Sequence, residues 1–556
     1  MEDRSRFWPG FLLGILLAAH AVICFDAARR LSPTWDEIVY PAAGLAQWHT
    51  RSIDLNLEHA FLSKLISAAP VAFLRPSLPW SNPSWQAKDA YRFGYQFTFH
   101  NRVPAPSLIL WSRIPMILFS LLTALLLYFW SRSLWGPAGG LLTVCAYTAT
   151  PILLSRASLA LLEMPMYFFV TLSLWLHWRW NMTERPALLY GSGCAMGLSF
   201  LCKLPSLPLL PTFLILHVLP RPEHRLADRV QAFMKLVLAA AIVIFIVYVP
   251  WKGAWVSFKD TFVNLFLFNR ILPYYWHGRT FSQPPALLSW AAWILKAPPA
   301  LLILGIWGAF RWRLSDRNRA AWNHLVFFSL ACFFSIFFFG AAVTTIQFSP
   351  AYLGLAGLAG GLALYWQEKK TPIVALAVVL LIVAGIDTFH VHPNYLAYFN
   401  VLAGGPRRGY QWLADSDQDW GQALPELAKE MERRGRPGLI LCYSGAADPR
   451  AWGLQYQDLA SPALVTAEYQ GKPISLNQKP IYLAVATKTL QSEPVLFGWL
   501  VQNLRPEAMV SDCFLIYDVT ADPEAFRWMA DIYRVTRRPR MAQWAFKRAT
   551  LLDPAR

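Results

Sequence analysis

Charge is scarce in this chain: Asp, Glu, Lys and Arg make up 15% of 556 residues, against the roughly 25% usual for soluble domains. That excludes an ordinary soluble enzyme. Cysteines number seven, with no pair at metal-ligand spacing, so neither a zinc site nor a disulfide framework is indicated. A glycine-rich phosphate loop is missing. No Asp-x-Asp of the kind that holds a nucleotide sugar is convincing, because the "DSD" at 415–417 lies in the polar tail. Nor is there an internal repeat, which together with acids placed in an aqueous loop weighs against a transporter or flippase.

Apolar residues are abundant, at 56% of the chain, and define a polytopic α-helical membrane protein. The 26 tryptophans suit the headgroup layer, and the net charge of +17 suits loops held against anionic lipid rather than nucleic acid. A first span from Phe7 to about Ala28 lacks a small-residue cleavage site and reads as a retained helix. Further spans are expected near 106–130, 136–153, 158–178, 187–202, 204–220, 232–251, 286–310, 322–340, 346–366 and 372–390, making about eleven. Arg4 and Arg6, Arg132, "HWRWNMTERP", "RPEHRLADR", "RWRLSDRNR" and "QEKK" fall in alternate connections. They share one side if the N-terminus is cytoplasmic. Residues 29–105, 252–285 and everything beyond 391 then face outward, into the periplasm of a Gram-negative cell, with the chain in the bacterial inner membrane.

The organisation follows: a transmembrane domain over 1–390, an extracytoplasmic α/β domain over 391–520 and a helical hairpin over 521–556. Strand-like runs at "LILCYSG", "IYLAVAT" and "CFLIYDV" alternate with helical patterns at about 420–435 and 492–504. The hairpin resembles one tetratricopeptide-type repeat, which cannot bury its own face, so it packs on the preceding domain or on a protein partner.

Candidate chemistry sits in the outer loop 29–105. "PTWDEIVY" puts Asp36 and Glu37 side by side just beyond the first span. In "LNLEHAFLSKLISAAPVAFL", His59, Ser63 and Ser67 recur every fourth residue beside Lys64, opposite Phe61, Leu62, Leu65 and Ile66. That pattern predicts an amphipathic helix at the membrane surface, carrying Glu58, His59 and Lys64 toward the acid pair. Arg113 in "SRIPM" and Lys203 in "LCKLPS" are ionised groups placed toward the outer leaflet. Lys296 is a weaker example, and Glu163 in "LALLEMP" is a partner for one of them or half of a structural ion pair.

"WDE" after the first span, then "EH..L.K", then "SRIPM", resembles bacterial glycosyltransferases that use a polyprenyl-phosphate sugar. These are similar to protein O-mannosyltransferases and the lipid A aminoarabinose transferase, all of the C-type glycosyltransferase fold. "HPNYLAYFNVLAGGPRRGYQWLADSDQDWGQALPEL" at 392–427 and "YSGAADPRAWGL" resemble the outer domain of bacterial members. The chain departs where relatives have two prolines, carrying Ala60 and Phe61, and where they often have arginine, carrying Gln347. The resemblance implies transfer of a sugar, by a mannosyltransferase-like inverting step, from a polyprenyl-phosphate donor to a hydroxyl of a protein, lipid or glycan. An inactive scaffold of the same fold is the alternative.

A membrane-bound lipid donor must react at the depth of this loop, where an acceptor hydroxyl needs a base. Asp36 is the expected base, with Glu37 to position it or to bind acceptor. Glu58, carried over from the matching motif, is expected to bind the donor sugar or a divalent cation; no other cofactor is implied, and the metal stays open. His59, Lys64, Arg113 and Lys203 are the expected substrate-binding residues, the cations meeting the charge that grows on the leaving lipid phosphate.

For the topology, a reporter fused after Arg556 is expected to score as external and one inserted between Ser315 and Asn318 as cytoplasmic. An internal C-terminus would overturn the placement of the 391–556 segment.

Overall fold

The computed structural model of the chain describes residues 2–57, 61–219, 225–267, 274–282, 285, 288–311, 316–339, 349–413, 418–462, 469 and 471–554. Helices dominate the first 390 residues. They are α1 (Glu2–Arg30), α2 (Val39–Thr50), α3 (Leu62–Ala72), α4 (Pro83–Gln86), α5 (Ala90–Phe99), α6 (Ala105–Thr148), α7 (Pro151–Ser158), α8 (Glu163–Thr183) and α9 (Pro186–Cys202). After these come α10 (Leu209–Val218), α11 (Leu226–Tyr248), α12 (Ala254–Leu267), α13 (Leu288–Leu295), α14 (Pro299–Arg311), α15 (Asp316–Phe339), α16 (Ala351–Ala359), α17 (Ala363–Gln367) and α18 (Thr371–His390).

Among the described residues, four helices are long and apolar enough to cross a membrane: Trp8–Arg30, Ala105–Thr148, Leu226–Tyr248 and Thr371–His390. Shorter apolar helices, among them α9 and α14, accompany them. Helix α6 folds back on itself at Gly136, whose φ of 75° and ψ of −175° suit a residue without Cβ, and Pro137 reinforces the break. Several expected spans shift, and two of them show why. The one placed at 158–178 starts later, at Glu163, because Leu159 is extended and Leu162 is left-handed at φ 71°. The one placed at 286–310 is divided where Lys296, Ala297 and Pro298 separate α13 from α14.

Beyond α18 the three apolar runs form strands of one sheet. A two-stranded ribbon comes first in the chain, β1 (Tyr274–Trp276) and β2 (Arg279–Phe281). The sheet then uses β3 (Gly438–Cys442), β4 (Gln457–Asp458), β5 (Ile481–Ala486), β6 (Ala508–Val510) and β7 (Phe514–Asp518) in the order β4-β3-β5-β7-β6. Strand β3 runs parallel to β4 and β5, whereas β7 is antiparallel to both of its neighbours. The closing helices, Pro523–Val535 and Pro539–Leu552, put Phe526, Met529, Tyr533 and Trp544 against Ile440, Leu483 and Val485. Gln457 Nε2 donates to the Tyr533 hydroxyl at 2.9 Å, and Trp544 Nε1 to the Ile474 carbonyl at 2.6 Å. The chain's own sheet therefore covers the apolar face of this helix pair.

The C-terminal sheet domain reaches back to seat the acid loop. Ser32 N donates to the Gln422 carbonyl and Trp35 N to the Trp420 carbonyl, both at 3.0 Å, and the Ser32 hydroxyl donates to the Gly421 carbonyl at 2.9 Å. Tyr95 on α5 donates to Asp448 at 3.0 Å, and Asn394 Nδ2 to the Ser511 carbonyl at 2.8 Å. The segments at 392–427 and 443–454 thus work as one cradle.

Two glycines let the helices of the loop close around it. A Cβ on Gly44 would lie 2.3 Å from the Lys64 carbonyl and 2.7 Å from Ala68 Cβ, and one on Gly94 would lie 2.6 Å from the Ile38 carbonyl. Gly44→Val is therefore expected to force α2 from α3 and cost at least about 1–3 kcal/mol. Gly14→Ala, where nothing lies within 4 Å, is the control and should be near neutral. Thermal unfolding of both variants in detergent is the measurement, and equal melting temperatures would contradict the packing described.

Candidate active site

Adjacent in sequence, the two carboxylates of "WDE" have opposite surroundings. Glu37 is fully buried. Its Oε1 accepts from Arg113 Nε at 2.7 Å and from the Ala160 N–H at 2.6 Å, and its Oε2 accepts from Arg113 Nη2 at 2.7 Å and the Thr34 N–H at 2.9 Å. Burial alone would push its pKa up; the Arg113 charge and hydrogen bonds, with the two backbone N–H groups, hold it below the usual carboxylate range.

Arg113 spends every donor on this neighbourhood. Besides its two bonds to Glu37, Nη1 donates to the Ala28 carbonyl at 2.6 Å and the Leu31 carbonyl at 2.8 Å, and Nη2 to the Ser32 carbonyl at 3.0 Å. A guanidinium has five N–H groups, so none is left for a ligand. The side chain links the end of α1, the acid loop and α6.

Asp36, by contrast, is only half-buried. Its Oδ2 accepts from the Tyr40 hydroxyl at 2.9 Å and its Oδ1 from the Tyr91 hydroxyl at 3.1 Å. Low-dielectric surroundings raise its pKa, against the pull of the Tyr40 hydroxyl, the Lys203 charge and the Tyr91 hydroxyl, while the Glu163 charge adds to the rise. A carboxylate fixed by two neutral donors, open on one side and shifted upward, has the properties of a general base.

Lys203 and Glu163 lie within electrostatic reach of Asp36. Lys203 Nζ donates to Glu163 Oε1 at 2.7 Å and to the Leu161 carbonyl at 3.3 Å. Glu163 Oε2 is buried without a hydrogen-bond partner among the described residues. Lys64 points inward, where its Nζ donates to the Asn56 carbonyl at 2.6 Å and Asn56 Oδ1 at 3.2 Å. The polar edge of α3 therefore faces protein and not water: Ser63 donates to the Leu162 carbonyl and Ser67 to the Ser112 carbonyl. Lys296 Nζ donates to the Leu396 carbonyl at 2.8 Å and sits 4.2 Å from the Phe399 ring centre.

Glu58 and His59 lie outside the described residues, as do Ala60 and Gln347. Phe61 is buried, with the Tyr248 and Trp251 rings each 5.1 Å away. Among the described residues no group of three or more His, Cys, Asp or Glu side chains is arranged to hold a metal. Sequence reasoning did not anticipate Tyr40 and Tyr91. Tyr40 had a signal, standing one helical turn after Asp36; Tyr91 had none, since only the fold brings α5 to the acid.

Residues 109–251 match the family described as dolichyl-phosphate-mannose-protein mannosyltransferase. Among solved structures, the chain is similar to ArnT from Cupriavidus metallidurans bound to undecaprenyl phosphate, at 14% identity and TM-score 0.46, covering 91% of this chain and 98% of that one. It is also similar to the protein O-mannosyltransferase Pmt1-Pmt2 complex of S. cerevisiae bound to the sugar donor, at 16% identity and TM-score 0.35, covering 46% and 34%. A third similar structure is the oligosaccharyltransferase AglB of Archaeoglobus fulgidus with an inhibitory peptide and a dolichol-phosphate, at 12% identity and TM-score 0.43, covering 69% and 56%. No curated protein matches by sequence.

Removing one partner of a fully buried ion pair strands the other charge, at a cost of about 3–5 kcal/mol. Glu37→Gln and Arg113→Leu are each expected to lower folded-protein yield and melting temperature by that order. The double variant Glu37→Leu/Arg113→Leu should recover part of the loss. Melting temperatures of the three purified proteins measure this. Wild-type stability in either single variant would show that the pair does not hold the loop.

Proposed function

We propose that this chain is an inner-membrane glycosyltransferase that moves a sugar from a polyprenyl-phosphate donor to a hydroxyl acceptor on the extracytoplasmic face. The observation that carries this reading is Asp36: part-buried, gripped by Tyr40 and Tyr91, and raised in pKa beside the buried Lys203–Glu163 pair. The family match over residues 109–251 supports the class of chemistry. The motif resemblance supports a lipid-linked donor. About eleven spans with the N-terminus cytoplasmic would put this loop at the outer membrane surface.

The step is a single displacement with inversion. The acceptor oxygen forms a bond to the anomeric carbon as its proton passes to the Asp36 carboxylate. The bond from that carbon to the phosphate oxygen breaks, and the lipid phosphate leaves with the electron pair. Tyr40 and Tyr91 hold the base in one orientation. Glu37, whose two oxygens are taken up by Arg113 and by the Thr34 and Ala160 N–H groups, acts with Arg113 as a positioning pair that fixes the loop. The unpartnered Glu163 Oε2 is suited to accept a hydrogen bond from a sugar hydroxyl. Lys203, with two of its three N–H groups engaged, has one to give to the leaving phosphate. Sugar and acceptor identity depend on contacts beyond these residues, and Glu58 and His59 are proposed to complete the donor site.

Asp36→Asn keeps the size and most hydrogen bonds of the acid but removes the base. Turnover should fall by roughly 10² to 10⁴, with the melting temperature unchanged. The pH profile supplies a second test. A base works ionised, so a raised pKa puts the acid limb of kcat above the ordinary aspartate value of about 3.9. Tyr91→Phe removes a hydrogen bond that lowers the Asp36 pKa, so this limb should move to higher pH. Transfer of labelled sugar from a polyprenyl-phosphate donor at saturating acceptor measures both. Near-normal turnover in Asp36→Asn would remove the base from this loop and favour an inactive scaffold.

A further inference from the structure

One buried cation near the site is left without a hydrogen bond among the described residues. Glu37 is closed by Arg113 and Glu163 by Lys203. Arg156, near the end of α7, is fully buried, and its Nε, Nη1 and Nη2 all lack a hydrogen-bond partner among the described residues. Buried guanidinium groups are almost always paired, because an uncompensated charge in a low-dielectric interior is costly. A short polar residue or another leucine in "PILLSRAS" would fold at lower cost.

The position of Arg156 ties it to the reacting region. Four residues later, the Ala160 N–H closes on Glu37 Oε1. Tyr167, one turn beyond Glu163 on α8, lies within electrostatic reach of both Glu163 and Arg156. Its hydroxyl shares a 2.5 Å hydrogen bond with Ser349. The Asp36 side of the site can take a proton, and the Arg156 side can take negative charge.

We propose that Arg156 is the receptor for the phosphate of the lipid carrier, an assignment that rests on the transferase reading above. The donor is a phosphodiester with one negative charge. Breaking its bond to the sugar turns the lipid phosphate into a monoester and adds a second charge. A planar guanidinium with all of its donors uncommitted matches two phosphate oxygens at once. It would hold the leaving group more tightly than the donor, which is what lowers a barrier. Arg113, the other buried arginine of the region, has no donor left for this role.

The test is binding of undecaprenyl phosphate, undecaprenol and inorganic phosphate to the full-length protein in detergent, for wild type, Arg156→Met and Arg156→Lys. Wild type is expected to prefer undecaprenyl phosphate over undecaprenol by at least about 10-fold, as for other charge-assisted contacts. Inorganic phosphate should bind weakly, because it lacks the chain that brings the headgroup to this depth. Arg156→Met should lose most of that preference, keeping only what Lys203 supplies, retain its undecaprenol affinity and melt no lower than wild type when empty, since it removes an uncompensated charge. Arg156→Lys should recover part of the preference. An Arg156→Met protein that prefers the phosphate as strongly as wild type, or that fails to accumulate, would overturn the assignment and leave Arg156 a structural residue. Inorganic phosphate binding as tightly as the lipid would also overturn it, in favour of a free-anion site. A wild type with no preference between the two lipids would instead sink the lipid-phosphate donor reading, and this assignment with it.

Discussion

Arg113 projects from α6 into the bend between α1 and the acid loop, where it meets a glutamate 76 residues earlier in the chain and three backbone carbonyls. The pair is dry. Its formation removes two ions from water, and the return comes from a two-point contact plus backbone donors that saturate both partners. Everything else in the site is arranged around that fixed point. With Glu37 held, its neighbour Asp36 must face the other way, toward Tyr40, Tyr91 and the open side. Two adjacent residues here meet different surroundings: one carboxylate is tied into the loop, and the other is the proposed base.

The seat for this loop is built from distant parts of the chain. Residues 32–35 run beside 420–422, so the C-terminal sheet domain forms part of the loop's wall. Asp419, buried beside that contact, has its pKa pushed up to about 6 by burial, with the Gly421 N–H opposing. Small residues at 44 and 94 allow close approach of three short helices. Such a frame would hold the proposed base in place, and positioning is what a reaction between two bound substrates gains most from.

Much of the architecture was legible in the sequence. Four of the apolar runs appear as long helices and the three strand-like segments as strands, each expressing local physics, whereas the span expected at 286–310 is divided at residues 296–298. The polar edge of α3 is different: a period of about four residues says that Ser63, Lys64 and Ser67 share a face, but it does not say whether that face meets water or protein. Pairings are hidden in the same way. Arg113, Lys203 and Glu163 announce themselves as ionisable groups in apolar surroundings, yet which acid takes which base depends on the packing of α6, α8 and α9. Arg156 carried the same signal within "PILLSRASLALLEMP" and was not singled out. The rule applied to Lys203, that an ionised group among apolar neighbours needs a reason, would have found it.

The central claim is that Asp36 faces the reacting carbon while Glu37 does not. The most direct measurement is a structure of the full chain with a non-transferable polyprenyl-phosphonate sugar. The account predicts the anomeric carbon on the open side of Asp36, with room between them for one acceptor oxygen in hydrogen-bond reach of the carboxylate and about 3–3.5 Å from that carbon. The Glu37–Arg113 contact should be unchanged. A sugar bound away from Asp36, or one that breaks the Glu37–Arg113 pair to contact Glu37 directly, would contradict it.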